Sequence, residues 1–100
     1  MNTITVIEKK PGERAHTRQI ENTLEAFQEA VGGYIETVTV ASDMAIVCNE
    51  EGRLRGLPYN CNISNMPFVG AILFVGVDGD EFADIPADLE RFEPVFWGEG

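Results

Sequence analysis

The sequence predicts an α+β fold: an antiparallel or mixed sheet of about five strands, with one main helix packed on a face and a short C-terminal helix. Three observations predict it. Short stretches of β-branched and apolar residues recur between turns rich in Gly, Pro and Asp. Residues 22–33 carry apolar side chains at helical spacing and end in two glycines. Residues 69–77 are apolar at odd and even positions alike, which is typical of a central strand covered on both faces.

The other strands are predicted from alternation and from the turns between them. Residues 3–7 alternate polar and β-branched side chains, and a Pro–Gly turn follows at 11–12. The same reasoning predicts a polar edge strand over 14–20, strands over 34–40 and 44–48, a short strand over 53–55 and an irregular stretch over 57–67.

The helix is predicted between two local signals. Asn22 is a favourable N-cap, and Glu25 can return a hydrogen bond to complete a capping box. Gly32–Gly33 is expected to end the helix, because glycine adopts the positive φ of a helix C-cap without strain. The predicted apolar stripe consists of Leu24, Phe27, Ala30 and Val31. One or two further helical turns are expected over 86–92.

Length and composition predict a single domain, residues 1–100, with an acidic C-terminal extension over 86–100. One hundred residues, 44% of them hydrophobic, suffice for one core without metals, cofactors or disulfides. The longest apolar run, residues 69–77, is far shorter than the ~20 residues that cross a bilayer. The first residues lack the basic and apolar segments of an export signal. We therefore expect a cytoplasmic protein in which Cys48 and Cys61 are free thiols.

The chain is strongly acidic, with 17 Asp and Glu against 7 Lys and Arg and a formal net charge of −10. All charged residues from Glu21 to Glu50 are acidic, and so are all those in 78–100 except Arg91. DNA binding depends largely on Lys and Arg that neutralise phosphates, so direct nucleic-acid binding is disfavoured. Solubility, docking on a basic protein surface and mimicry of DNA are three explanations that composition leaves open.

Motifs for catalysis or metal binding are missing from the sequence. His16 is the only histidine, and no Ser or Cys stands in a recognisable arrangement with it. The glycine pair at 32–33 ends a helix, whereas a phosphate site needs a helix N-terminus. A calcium loop starting at Asp78 would place Ala83 where glycine is required and Leu89 where the bidentate Glu belongs. The sequence therefore favours a non-catalytic protein without a metal site.

Polar residues concentrated around one stretch form the predicted binding site: Glu36, Asn49, Arg53, Arg55, Tyr59 and Asn60. Arg53 and Arg55 would share one face of their short strand, in a chain poor in bases. Leu57–Pro58 would bend the chain and present Tyr59 and Asn60 from a loop. Forked hydrogen bonds from two guanidinium groups suit an anion or a carbonyl-rich peptide edge. The alternative is that both arginines pair with neighbouring glutamates on the surface.

Four spaced motifs stand out: Asn22-x-Leu24, Gln28-x-x-Val31-Gly32-Gly33-x-Ile35-Glu36, Asn49-Glu50-x-Gly52-x-Leu54-x-x-Leu57-Pro58-x-Asn60 and Val69-Gly70-x-Ile72. They resemble those of a domain-of-unknown-function family of small proteins from phages, plasmids and conjugative elements of Gram-positive bacteria. The resemblance covers about residues 4–85, and its two glycine-containing blocks are the most specific part. It implies a cytoplasmic accessory protein of a mobile element, and it implies no activity.

We therefore expect stoichiometric binding of a host protein or a small anionic ligand, by an accessory or counter-defence factor of a phage or mobile element. The alternatives are an enzyme acting on a nucleotide-like substrate and an acidic mimic of DNA. No membrane association and no cofactor are expected, and a homo-oligomer is compatible with the sequence.

Overall fold

A computed structural model describes residues 2–86, so the predicted helical turns beyond Pro86 and most of the acidic extension lie outside the described residues. The elements alternate short strands with a single helix. In chain order they are β1 (Thr3–Lys9), β2 (His16–Glu21), α1 (Leu24–Val31), β3 (Ile35–Ala41), β4 (Met44–Asn49), β5 (Tyr59–Ile63), β6 (Met66–Val69), β7 (Ile72–Asp78) and β8 (Glu81–Ala83).

The predicted α+β class is wrong, because the fold is dominated by antiparallel sheet. Strands make up 53% of the described residues and helix 9%. The main sheet has six strands in the order β2-β1-β7-β4-β3, with β8 beside β7. A second sheet contains β5 and β6 alone. The sequence reasoning undercounted strands because it treated 57–67 as irregular and did not expect the chain to return as β8 after the turn at Gly79.

Strand β7 is the central strand that the sequence predicts. It lies between β1 and β4, and its residues Ile72 to Val75 are fully buried. Alternate side chains enter two separate apolar clusters, with Ile72 and Phe74 on one face and Leu73 and Val75 on the other. The strand begins at Ile72 rather than at Val69, because Gly70 turns the chain with a φ of 72°.

Helix α1 covers one face of the sheet. Its N-cap is Thr23, whose hydroxyl accepts a hydrogen bond from the Ala26 N–H at 3.2 Å. The prediction of Asn22 as the cap is wrong, because the Asn22 amide donates instead to the Phe82 carbonyl at 3.1 Å. Gly32 has a φ of 79°, which confirms the expected left-handed helix end.

The predicted apolar stripe of α1 is confirmed in part. Phe27 and Val31 are buried against the sheet, and Ala26 and Ala30 are partly buried. Leu24 is the first residue of the helix, and its side chain is 56% exposed. The stripe is therefore narrower than the sequence indicates, and it centres on Phe27, whose ring meets Phe82 edge to face at 5.1 Å.

The hairpin β5–β6 covers the opposite face. Cys61, Ile63 and Phe68 pack into the cluster that contains Ile46 and Phe74 of the main sheet. The two strands are joined by Ser64–Asn65, which have φ values of 51° and 64°. Two successive positive φ values are typical of a two-residue hairpin turn whose twist matches its strands. The prediction of an irregular segment over 57–67 is wrong, because most of it forms the two hairpin strands. The sequence did not reveal the hairpin because its turn contains no glycine.

We predict that Phe27→Ala will destabilise the protein by about 3–5 kcal/mol, since it removes a buried aromatic ring from beneath the helix. Glu29→Ala, a change on the exposed side of the same helix, is the matched control and should stay within about 0.5 kcal/mol. Urea unfolding of both variants measures the difference. Equal and small effects would contradict the burial of this helix face.

Candidate functional site

A cavity of about 300 Å³ lies between the ends of β3 and β4 and the strand β6 of the hairpin. The turn over 50–56, which follows β4, closes one side of it. Its apolar lining consists mainly of Val38, Cys48, Leu54, Met66, Phe68 and Val69. Its charged lining consists of Glu36, Glu50 and Arg53. An apolar concavity with a few charged groups at its border is typical of a binding site.

Arg53 holds the turn against the hairpin. Its Nη2 donates a hydrogen bond to the Pro67 carbonyl of β6 at 3.0 Å. Residues 53–55 form turns and not the predicted short strand, so alternate side chains do not share a face. Leu54, in the middle of this turn, lies beside the cavity and is 89% exposed.

Asn49 and Arg55 bind the end of helix α1. The Asn49 amide donates to the Val31 carbonyl at 3.1 Å, and Arg55 Nη1 donates to the Gly32 carbonyl at 3.1 Å. Carbonyls at a helix C-terminus have no partner within the helix, so these side chains satisfy groups that would otherwise need water. Asn49 Oδ1 also accepts from the Glu51 N–H at 2.8 Å. Asn49 borders the cavity, but its side chain serves the helix.

Tyr59 and Asn60 do not line the cavity. The Tyr59 hydroxyl lies 2.9 Å from Asn62 Oδ1, within its own hairpin strand. Asn60 is 4% exposed, and its amide donates to the carbonyls of Lys9 at 2.9 Å and Gly70 at 2.7 Å. Asn60 therefore ties the hairpin to β1. Of the six residues predicted from sequence, the structure brings Glu36, Asn49 and Arg53 to the cavity and places the other three elsewhere.

The cavity residues that sequence reasoning missed come from the hairpin and from the turn. Met66 and Phe68 were unrecognised because β6 was taken as irregular chain. Leu54 had a signal that could have found it: a large apolar side chain between two arginines, next to turn residues. Turns are usually polar, so a large apolar side chain in one is a candidate for the border of a binding cavity.

The cavity raises the pKa of the Cys48 thiol to about 11. Burial is the main cause, the Glu36 carboxylate adds to it, and the Arg53 guanidinium opposes both. The pKa of Cys61 is raised as well, by burial and against the influence of Lys9. Both cysteines are free and buried, and a protonated thiol is a poor nucleophile. Both thiols are therefore disfavoured as nucleophiles.

The histidine lies on β2, in another part of the sheet. His16 Nε2 is 3.2 Å from Glu8 Oε1, and Arg18 Nη1 donates to Glu8 Oε2 at 2.9 Å. Glu8 is buried, so these partners compensate a carboxylate that would otherwise be costly to bury.

Two further features can be assessed over residues 2–86. No group of three or more His, Cys, Asp or Glu side chains in this range is arranged to hold a metal ion. Helix α1, the one helix in the same range, is too short to cross a membrane.

We predict that Asn60→Ala will destabilise the protein by about 2–4 kcal/mol, because two buried carbonyls lose their donor. Arg55→Ala should cost less than about 1 kcal/mol, since its side chain is half exposed and water can replace it at the Gly32 carbonyl. Thermal and urea melts compare the two. A stable Asn60→Ala protein would argue against the tethering role.

We predict opposite effects of the two charged neighbours on Cys48 labelling by iodoacetamide. Near pH 8 the thiolate fraction should be about a hundredfold below that of an ordinary thiol, because the pKa is raised to about 11. Glu36→Gln removes a charge that disfavours the thiolate and should speed labelling. Arg53→Gln removes the opposing charge and keeps an N–H donor for the Pro67 carbonyl, so it should slow labelling. Peptide mass spectrometry separates Cys48 from Cys61. Effects of the same sign would contradict the assigned causes.

Comparison with known proteins confirms that the chain contains a domain of unknown function, and that part of the expected resemblance alone. The family described as Domain of unknown function (DUF3846) matches residues 4–96. No curated protein matches the chain, and no solved structure matches it. The matched range contains the whole cavity and every element from β2 to β8. Since the match extends over nearly the full chain, the protein belongs to the DUF3846 family.

Proposed function

We propose that the protein is a non-catalytic binding protein that engages a partner protein stoichiometrically through the cavity beside β3 and its apolar rim. One observation carries the proposal: Leu54, at 89% exposure, is the most exposed large apolar side chain of the described chain and borders the cavity. Met66, at 39%, adds apolar surface on the hairpin side. Exposed apolar side chains beside a concavity are characteristic of protein interaction sites.

The charges at the cavity favour a protein partner over a small anionic ligand. Glu36 and Glu50 contribute two carboxylates to the lining, against the single guanidinium of Arg53. That guanidinium already donates to the Pro67 carbonyl. An anion would therefore meet net negative charge and one engaged donor, whereas an apolar side chain of a partner would meet a matching surface.

The biological setting that we propose is that of an accessory or counter-defence factor of a phage or mobile element in Gram-positive bacteria. The resemblance of the glycine-containing motifs around Gly32–Gly33 and Gly52 supports it. In this setting the partner is a host protein, and binding it in a fixed ratio is sufficient to change its activity.

The test is an affinity capture from a Gram-positive lysate with three forms of the protein: wild type, Leu54→Asp and Leu24→Asp. Leu24 is the matched control, because it is also an exposed leucine, at 56%, but lies on the first turn of α1. Both changes should leave the melting temperature nearly unaltered, since neither side chain is buried. We expect the wild type and Leu24→Asp to retain the same protein in a fixed ratio, and Leu54→Asp to lose it.

Equal retention by Leu54→Asp and the wild type would remove the cavity rim as the binding surface. Loss with both variants would mean that any added carboxylate abolishes capture, and would also argue against a localised site.

A further inference from the structure

Strand β3 stands at one end of the strand order of the main sheet. Among residues 2–86 it pairs with β4 on one side and with no strand on the other. Natural edge strands are commonly protected by charged side chains, prolines or bulges. The opposite edge, β2, carries His16, Arg18 and Glu21, whereas Glu36 is the one charged residue of β3. A register shift after Thr39 distorts the far end of β3 and leaves the half nearest the cavity regular.

The register shows which backbone groups of β3 face outward. The Glu50 N–H donates to the Tyr34 carbonyl at 2.8 Å, and Glu36 and Val38 lie opposite Cys48 and Ile46 in the same register. In an antiparallel ladder hydrogen-bonded pairs alternate with pairs that are not hydrogen bonded, so 34, 36 and 38 direct their backbone groups towards β4. The N–H and C=O groups of 35, 37 and 39 therefore point to the open edge.

The cavity adjoins this edge. Glu36 and Val38 contribute their side chains to its lining, and both lie on the face that the hairpin covers. A strand added beside β3 would place alternate side chains on that face, next to Met66 and Leu54 of the rim. Backbone hydrogen bonds to β3 would supply affinity. The apolar lining of the cavity would favour an apolar side chain at every second residue of the added strand.

Charge indicates what kind of strand fits. Every charged residue from Glu21 to Glu50 is acidic, a range that includes α1, β3 and β4. A basic segment is attracted to this part of the molecule, whereas a second copy of the chain, itself at −10, is repelled. The apolar cavity and the acidic surroundings together call for an extended segment in which apolar and basic residues alternate.

We propose that β3 receives an extended, basic and apolar segment of a partner protein by strand addition, with apolar side chains entering the cavity. This inference rests on the proposed binding function and names the class of partner. Its distinctive consequence is a pattern along β3: the amides of Ile35, Thr37 and Thr39 gain protection, while those of Glu36 and Val38 are already protected by β4.

The first experiment measures amide hydrogen exchange by NMR with a capped synthetic peptide of about seven residues, the length of β3, that alternates valine and lysine. We expect exchange at 35, 37 and 39 to slow by about tenfold or more, with little change at 36 and 38. A peptide alternating valine and glutamate is the charge control and should bind at least about tenfold more weakly. Uniform protection along β3, or none, overturns the proposal.

The second experiment blocks the edge. Thr37→Pro removes an outward N–H while leaving the β4 ladder intact, because that N–H makes no bond to β4. Thr37→Val keeps the N–H and is the matched control. We expect peptide affinity to fall by about tenfold or more in the proline variant and to stay within about twofold in the valine variant. If the proline variant does not fold, the exchange pattern in the wild type decides alone.

The outcomes separate this inference from the proposed function. Capture of the partner by Thr37→Pro at wild-type level, together with loss by Leu54→Asp, would overturn strand addition and leave the binding function standing. Retention by Leu54→Asp would overturn the cavity rim as the binding surface, and with it the proposed function as stated. A dimer joined through β3, detected by sedimentation and abolished by Thr37→Pro, would overturn the foreign segment as the occupant.

Discussion

The fold depends on the burial of its two central strands on both faces. All residues of β4 are buried, as are Ile72 to Gly76 of β7, so the sheet needs one cover on each side. Helix α1 supplies one cover and the hairpin β5–β6 the other. Each cover is tethered by a buried asparagine: Asn49 donates to the end of the helix, and Asn60 donates from the hairpin to β1. These two amides satisfy carbonyls that packing would otherwise leave without donors.

The cavity follows from the shortness of hairpin strand β6 relative to the sheet strands beside it. Strand β6 has four residues, whereas β3 and β4 have seven and six, so the hairpin leaves part of the sheet beside β3 uncovered. The turn over 50–56 approaches this gap, and the bond from Arg53 to Pro67 holds it there. The raised pKa of Cys48 arises at the same place: burial of its thiol is the main cause, the Glu36 carboxylate adds to it, and the Arg53 guanidinium opposes both. The cavity and the raised pKa of this thiol are thus found at one place in the structure.

The candidate site was predicted in part, and its errors have one cause. Arg53 and Arg55 would share a face if they stood in a strand, because side chains at i and i+2 of a strand point the same way. In the actual turn that rule does not hold: Arg53 reaches the hairpin and Arg55 reaches the helix, on opposite faces of the sheet. The placement of Tyr59 and Asn60 failed likewise, since they begin a strand instead of a loop. Glu36, on a correctly predicted strand, did reach the cavity.

The sequence by itself determined the central strand, the helix around Phe27 with its end at Gly32, and the acidity of the surface, because apolar periodicity, turn chemistry and charge are local properties. Only the tertiary structure decided the roles of the polar side chains. The Asn60 amide meets a carbonyl 51 residues away, and the Asn49 amide meets one 18 residues away. A buried amide takes the acceptors that packing brings to it, and those acceptors are absent from its sequence neighbourhood.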